Sequence, residues 1–198
     1  ADHAQAQSGD AISLDTIQVQ GERASGPVNG YVARRSDTAT KIDTPLIETP
    51  QSISVVTRQQ MDDQAATTVS QALRYSAGVL GETRLSSGGR YDSVFIRGFG
   101  GAGSGAGFVN YLDGLRFQRG VNFLVPSYEP WGLERVEVLR GPSSVVFGQV
   151  KPGGIVNLVS KRPKDEAHGE VQLRVGTYAV RYRVDLEEMS GDRLAEVG

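Results

Sequence analysis

The chain has 198 residues, 25 of them Gly and none Cys, and 21 Lys and Arg against 23 Asp and Glu leave a formal net charge of -2. Gly well above the average of about 7% points to turns and close backbone approaches rather than a helix bundle, and the balanced charge gives no basic footprint for nucleic acid. The missing Cys excludes a disulfide framework, a thiolate metal site and a Cys nucleophile, and apolar runs such as Val145-Val146-Phe147 fall far short of the ~20 residues of a spanning helix.

Ala1-Asp2-His3-Ala4-Gln5-Ala6 lacks the basic and apolar regions of a signal peptide and reads as a mature or artificial start. If Ala1 is the true terminus, its amine and His3 supply a square-planar nitrogen set for Cu(II) or Ni(II). Residues 1–30 read as a flexible polar segment interrupted by Leu14-Asp15-Thr16-Ile17-Gln18-Val19-Gln20, a short alternating strand. Such a strand either adds to the sheet edge of a partner or docks on its own domain, and the pattern leaves both open.

From Lys41 the chain turns globular. Ser52–Thr57 reads as a strand and Arg58–Gln64 as a short helix. Thr67 or Thr68 caps a second helix with Val69, Ala72 and Leu73 on one face and Gly78 as its C′ residue. Val94–Arg97 is a strand entering a glycine-rich loop, followed by a strand at Val109–Leu112, a turn at Asp113-Gly114 and a return strand from Leu115. Leu133–Arg140 alternates, with Leu133, Arg135, Glu137 and Leu139 on one side and Glu134, Val136, Val138 and Arg140 on the other. Gly141-Pro142 ends it, Pro142 takes the first position of a short helix to Phe147, and Ile155–Ser160 is a further strand. Val171, Leu173 and Val175 alternate on odd positions but Val180, Tyr182, Val184 and Leu186 on even ones, so a hairpin turns at residues 176–179.

The chemistry-bearing motifs are few. Gly98-Phe99-Gly100-Gly101-Ala102-Gly103 fits G-x-G-x-x-G, but the glycines run on into a strand where a dinucleotide site needs a helix. The two His residues, His3 and His168, lie outside the expected core, and no nucleophile triad assembles; the chain does not read as an enzyme. Arg97 and Arg140 each end an apolar strand, and such a guanidinium, if buried, needs an anionic partner. Surface exposure, or pairing of these arginines with Glu134 or Glu137, is the plainer expectation.

Four ordered motifs then carry a resemblance. Ile96-Arg97-Gly98-Phe99, Tyr111-Leu112-Asp113-Gly114-Leu115, the run from Leu133 to Gly148 and the run from Pro152 to Pro163 resemble the plug domain of TonB-dependent siderophore receptors of the ferrichrome and hydroxamate group. The resemblance implies an α+β fold: a mixed-sheet plug with short helices at 31–165, after a segment carrying a TonB box at 14–20. Residues 166–198 would then be a hairpin beginning a 22-stranded outer-membrane barrel, whose other strands the chain lacks. It implies no cofactor, a ferric siderophore of hydroxamate type as ligand, and periplasmic TonB as partner. Asp15, Thr16, Ile17, Gln18 and Val19 would pair with TonB. Arg84, Gly103, Ser104, Gln118, Phe123 and Leu124 would meet the siderophore, and Arg97 and Arg140 would face glutamates of the barrel wall. The glycine loop and Leu124, where an aromatic is expected, depart from the ferrichrome pattern. Only about fourteen residues precede the box, which implies no extra signalling domain. The rival readings are a stand-alone periplasmic module that captures ferric chelates, and a nucleotide-dependent enzyme.

Overall fold

The computed structural model describes residues 21–81, 94–101, 108–116, 128–163, 168–175 and 180–187. A short antiparallel pair, β1 (Arg35–Ser36) and β2 (Thr44–Pro45), precedes β3 (Ser52–Thr57), α1 (Arg58–Asp63) and α2 (Val69–Ala72). Then come β4 (Val79–Leu80), β5 (Val94–Ile96), β6 (Phe99–Gly101), β7 (Phe108–Leu112), β8 (Leu115–Arg116) and β9 (Leu133–Arg140). The last elements are α3 (Ser144–Phe147), β10 (Gly154–Ser160), β11 (His168–Val175) and β12 (Val180–Glu187).

The main sheet has the order β3-β9-β10-β7-β8. It is mixed: β10 runs parallel to β7, whereas β3 with β9, β9 with β10 and β7 with β8 are antiparallel. β9 and β10 are paired on both sides and buried along most of their length, which suits their β-branched content. Strand ends hand over directly to helices. The Thr57 hydroxyl accepts the Gln60 N–H at 3.3 Å and the Thr68 hydroxyl accepts the Gln71 N–H at 3.2 Å, each satisfying a free donor of a helix start.

The two faces of the sheet are buried by different chemistry. On one, Val56, Val136, Val138, Val156, Leu158 and Phe108 pack with Met61 of α1, Val69, Ala72 and Leu73 around α2, and Val79, Val94 and Ile96 of the small β4-β5-β6 sheet. The other carries a smaller apolar group around Leu139, Ile155, Val109 and Tyr111 beside a buried polar row, Arg135, Glu137 and Asn157. Residues 22–45 lie over that row. Ser36 Oγ donates to Glu137 Oε2 at 2.6 Å, Asn157 Nδ2 donates to Thr38 Oγ1 at 2.9 Å, and Arg135 donates to the carbonyls of Arg23 and Arg35. The stretch 21–30, grouped by sequence with the flexible N-terminal segment, thus includes buried Ala24 and Val28.

Four local expectations are corrected. Leu133 joins Val136 and Val138 on the helix-covered face, because a register shift sets Val159 opposite Arg135 but Ser160 opposite Leu133, and the added residue of a bulge turns the strand's first side chain over. Gly78 has a positive φ of 68° but sits beyond the α2 C-cap at Leu73. Pro142 is not the first helical residue, since the Ser143 carbonyl accepts the N–H groups of Val146 and Phe147 and so opens the turn. Arg97 lies past its strand in a turn, and Phe99–Gly101 pairs back as β6.

Arg135 and Glu137 are fully buried and 3.3 Å apart, yet neither Arg135 Nε nor Glu137 Oε1 completes a hydrogen bond. Burial therefore outweighs the guanidinium and raises the Glu137 pKa. A carboxyl raised on folding contributes stability that is full below its unfolded pKa and is lost as pH rises through the folded value. Urea midpoints of the wild-type chain should consequently carry a component that falls from about pH 4.5 upward, and E137Q should lack it. An identical pH profile in E137Q would contradict this assignment.

Candidate functional site

Two arginines converge on the helix-covered face. Arg97 and Gly98 connect β5 to β6 with φ values of 52° and 82°, the left-handed pair that a two-residue hairpin turn needs to match strand twist. The Arg97 N–H donates to Gly78 O at 2.9 Å, and its side chain is exposed. Arg140 ends β9 opposite Ser52 of β3. Its Nη2 donates to Ser54 Oγ at 2.5 Å and its Nη1 to Ser52 Oγ at 3.3 Å, while its buried Nε has no partner.

The two guanidiniums are neighbours. A Cβ on Gly141 would lie 3.4 Å from Arg97 Nη1, and one on Gly78 would lie 3.6 Å from Arg140 Nε, so these glycines leave the room the side chains use. Burial first, and then the charge of Arg97, lower the Arg140 pKa. Among the described residues no carboxylate pairs with either arginine, and Glu137 is committed to Arg135. Two like charges held together with no counter-charge among the described residues suit a carboxylate or another forked anion.

A second feature lies where the hairpin meets the main body. Glu170 of β11 accepts from Trp131 Nε1 at 3.1 Å and pairs with Lys161 Nζ at 2.7 Å, and Lys161 Nζ sits 4.7 Å from the centre of the Trp131 ring. On the opposite side of β11, Val171 and Leu173 are 72% and 68% exposed. The pairing of β11 with β12 sets Val175 opposite Val180, which is the expected hairpin; its turn at 176–179 is outside the described residues. A cleft of about 300 Å³, lined by Asp37, Thr38 and Lys41 on one side and Asp113, Asn157 and Arg162 on the other, follows the seam between residues 22–45 and the sheet.

Of the residues singled out from sequence, the structure brings together Arg97 and Arg140. Asp15–Val19, Arg84, Gly103, Ser104, Gln118, Phe123 and Leu124, with Ala1 and His3, lie outside the described residues. Among the described residues no cluster of His, Asp or Glu is arranged to hold a metal ion, and no helix is long and apolar enough to cross a membrane. Sequence reasoning did not single out Arg135 and Glu137 as a pair. The signal was available, since they are the two charged positions between Leu133 and Leu139 on one side of the alternating strand.

Residues 45–155 match the family model described as the TonB-dependent receptor plug domain. The chain is 49% identical over 173 residues to the ferrioxamine receptor of Yersinia enterocolitica, covering 84% of this chain and 23% of that protein. It is 44% identical over 169 residues to the ferrichrome outer membrane transporter/phage receptor of Escherichia coli (strain K12), covering 85% and 22%. Among solved structures, the pyoverdine outer membrane receptor FpvA from Pseudomonas aeruginosa PAO1, bound to pyoverdine, superposes with a TM-score of 0.67 at 29% identity, over 79% of this chain and 22% of that one. The alcaligin outer membrane receptor FauA from Bordetella pertussis gives 0.62 at 30% identity, over 79% and 26%. The chain spans under a quarter of the length of these two curated relatives.

Proposed function

Because the chain belongs to the TonB-dependent receptor plug domain family, we propose that it is the plug of an outer-membrane receptor that imports a ferric siderophore and is gated by TonB. The observation that carries this reading is the Arg97 and Arg140 pair. A plug seated in a barrel needs fixed charges to hold it, and two neighbouring guanidiniums with no carboxylate partner among the described residues, one of them exposed, are suited to carboxylates on a surrounding wall.

The hairpin supports the same reading. β11 turns Glu170 to the plug and leaves Val171 and Leu173 outward, the polar-in and apolar-out alternation of a barrel strand. Residues 168–187 would be its first two strands. Names of relatives such as the ferrioxamine receptor favour a hydroxamate siderophore. Arg84, Gly103, Ser104, Gln118, Phe123 and Leu124 are the residues we assign to its rim, and Asp15–Val19 is the strand we assign to TonB pairing. No step of this process is a chemical turnover; the binding energy orders the ligand and the pull on the N-terminal strand supplies the work.

The test uses the full receptor. Ile17→Pro removes an N–H that β-augmentation requires, so uptake of labelled ferrioxamine should fall at least tenfold while ferrioxamine binding is unchanged. Normal uptake by the variant would contradict the TonB assignment, and absence of ferrioxamine binding by the unaltered receptor would contradict the ligand class.

A further inference from the structure

A two-stranded hairpin is marginally stable in water on its own. β11 and β12 form a separate two-stranded sheet, in register from His168 opposite Glu187 to Val175 opposite Val180. On the outward side of β11 Val171 and Leu173 are exposed, so apolar burial there does not hold it. The other side, where Glu170 and Gln172 are half-buried, is turned to the plug. There Glu170 uses both of its oxygens: Oε1 accepts from Trp131 Nε1 at 3.1 Å and Oε2 accepts from Lys161 Nζ at 2.7 Å. Both bonds are charge-assisted, and Lys161 Nζ also lies over the Trp131 ring.

The groups that receive Glu170 are held by the plug itself. Trp131 sits in the single 3-10 turn Pro130–Gly132 that leads into β9. Arg58 Nη1 donates to the carbonyls of Pro130 and Leu133 at 2.5 and 2.7 Å, and the Lys161 N–H donates to Gly132 O at 3.1 Å. Arg58 is fixed in turn by Asp62, which accepts from its Nε and Nη2. A preorganised site loses little freedom when it is filled, so an ion pair worth little between two free surface side chains counts for more here. The register of β9 with β10 places these groups beside Leu133 and Ser160, at the opposite end of the sheet from Arg140 and Gly154, about 23 Å along the strand. They are a fastening separate from the arginine pair.

We propose that Trp131 and Lys161 form a seat for the carboxylate of Glu170, through which the folded plug orders β11 and β12 and so templates the first hairpin of the barrel, with Glu170 as the positioning residue. The proposal rests on the reading of residues 168–187 as the first two barrel strands. It adds what holds them before a third strand pairs with them, and it makes the plug a participant in barrel assembly.

The experiment begins with the 198-residue chain. In Glu170→Gln and in Lys161→Met, amide exchange over residues 168–175 and 180–187 should rise at least fivefold while β9 and β10 are unchanged. The double variant should exchange no faster than the quicker single one, because both substitutions remove the same ion pair. Unchanged exchange in Glu170→Gln, or single effects that multiply in the double variant, overturns the seat. The second step uses the full receptor, refolded from urea into detergent micelles, with barrel closure read as the compact band that unheated samples give in SDS gels. Glu170→Gln should close at least fivefold more slowly than the unaltered receptor. Closure at the unaltered rate, with the hairpin loosened in the short chain, overturns the templating role. In the closed, unaltered receptor the β11 and β12 amides should be protected as strongly as those of β10; free exchange there would instead overturn the reading of these strands as part of a barrel.

Discussion

Arg135→Met should lower the unfolding free energy of the chain by about 3–5 kcal/mol, the range for removing one partner of a buried ion pair. Both side chains are inaccessible, so the substitution leaves Glu137 in a site that water cannot reach and also frees the carbonyls of Arg23 and Arg35 from their donor. The remaining carboxyl can escape part of the penalty by taking a proton, to which its raised pKa already inclines it. The loss should therefore be larger at pH 8 than at pH 5. The double variant Arg135→Met with Glu137→Leu should recover most of the loss, because the same volume filled by apolar groups needs no partner. Urea unfolding followed by fluorescence of Trp131, the single tryptophan, measures all three proteins. A double variant no more stable than Arg135→Met would show that shape rather than charge is what this site demands. Recovered stability combined with a loosened residue 22–45 segment would separate the pair's hold on that segment from its place in the buried interior, two roles that the wild-type pair performs together.

How far the sequence could be read depends on where the information is local. The hairpin turn at Asp113-Gly114, the Thr68 cap and the alternation of β9 are set by residues within a few positions of one another, and each was legible. The order β3-β9-β10-β7-β8 was not, because no local pattern says that β10 lies parallel to β7 and antiparallel to β9. The misplaced Leu133 has the same cause: alternation predicts its face correctly only if the ladder has no bulge, and the bulge is a property of two strands together. At the candidate site, Arg97 and Arg140 could be singled out as charges ending apolar strands. Their contact could not, since it depends on a turn that puts Arg97 at positive φ and on the room left at Gly78 and Gly141. The segment at 22–45 was the least legible part. Its first part, to residue 30, reads as the end of a flexible polar segment, and only the buried row beneath gives its short side chains and those of Ser36 and Thr38 something to hold.

Gly154→Ala should cost about 2–6 kcal/mol, from backbone strain of ~1–3 kcal/mol added to overpacking of ~1–3 kcal/mol. Gly154 has a φ of 123°, and a Cβ there would run into the Leu139 carbonyl and lie 3.1 Å from both Arg140 Cα and Gly141 N. These atoms belong to the end of β9, which is held by β3 on its other side and cannot retreat without breaking that ladder. Gly98→Ala is the control. It also sits at positive φ, 82°, but has nothing within 4 Å of its would-be Cβ, so it should lose only the ~1–2 kcal/mol of a left-handed alanine. Equal losses would mean that conformational strain alone explains Gly154 and that the close approach of β9 is immaterial. A larger loss at Gly154 has a consequence for function, because Arg140 is its register partner. Any molecule that folds despite the clash must move the end of β9, and with it the guanidinium that sits beside Arg97. In the full receptor, Gly154→Ala that still reaches the membrane should therefore show a plug less firmly seated, read as faster proteolysis of the plug than in Gly98→Ala.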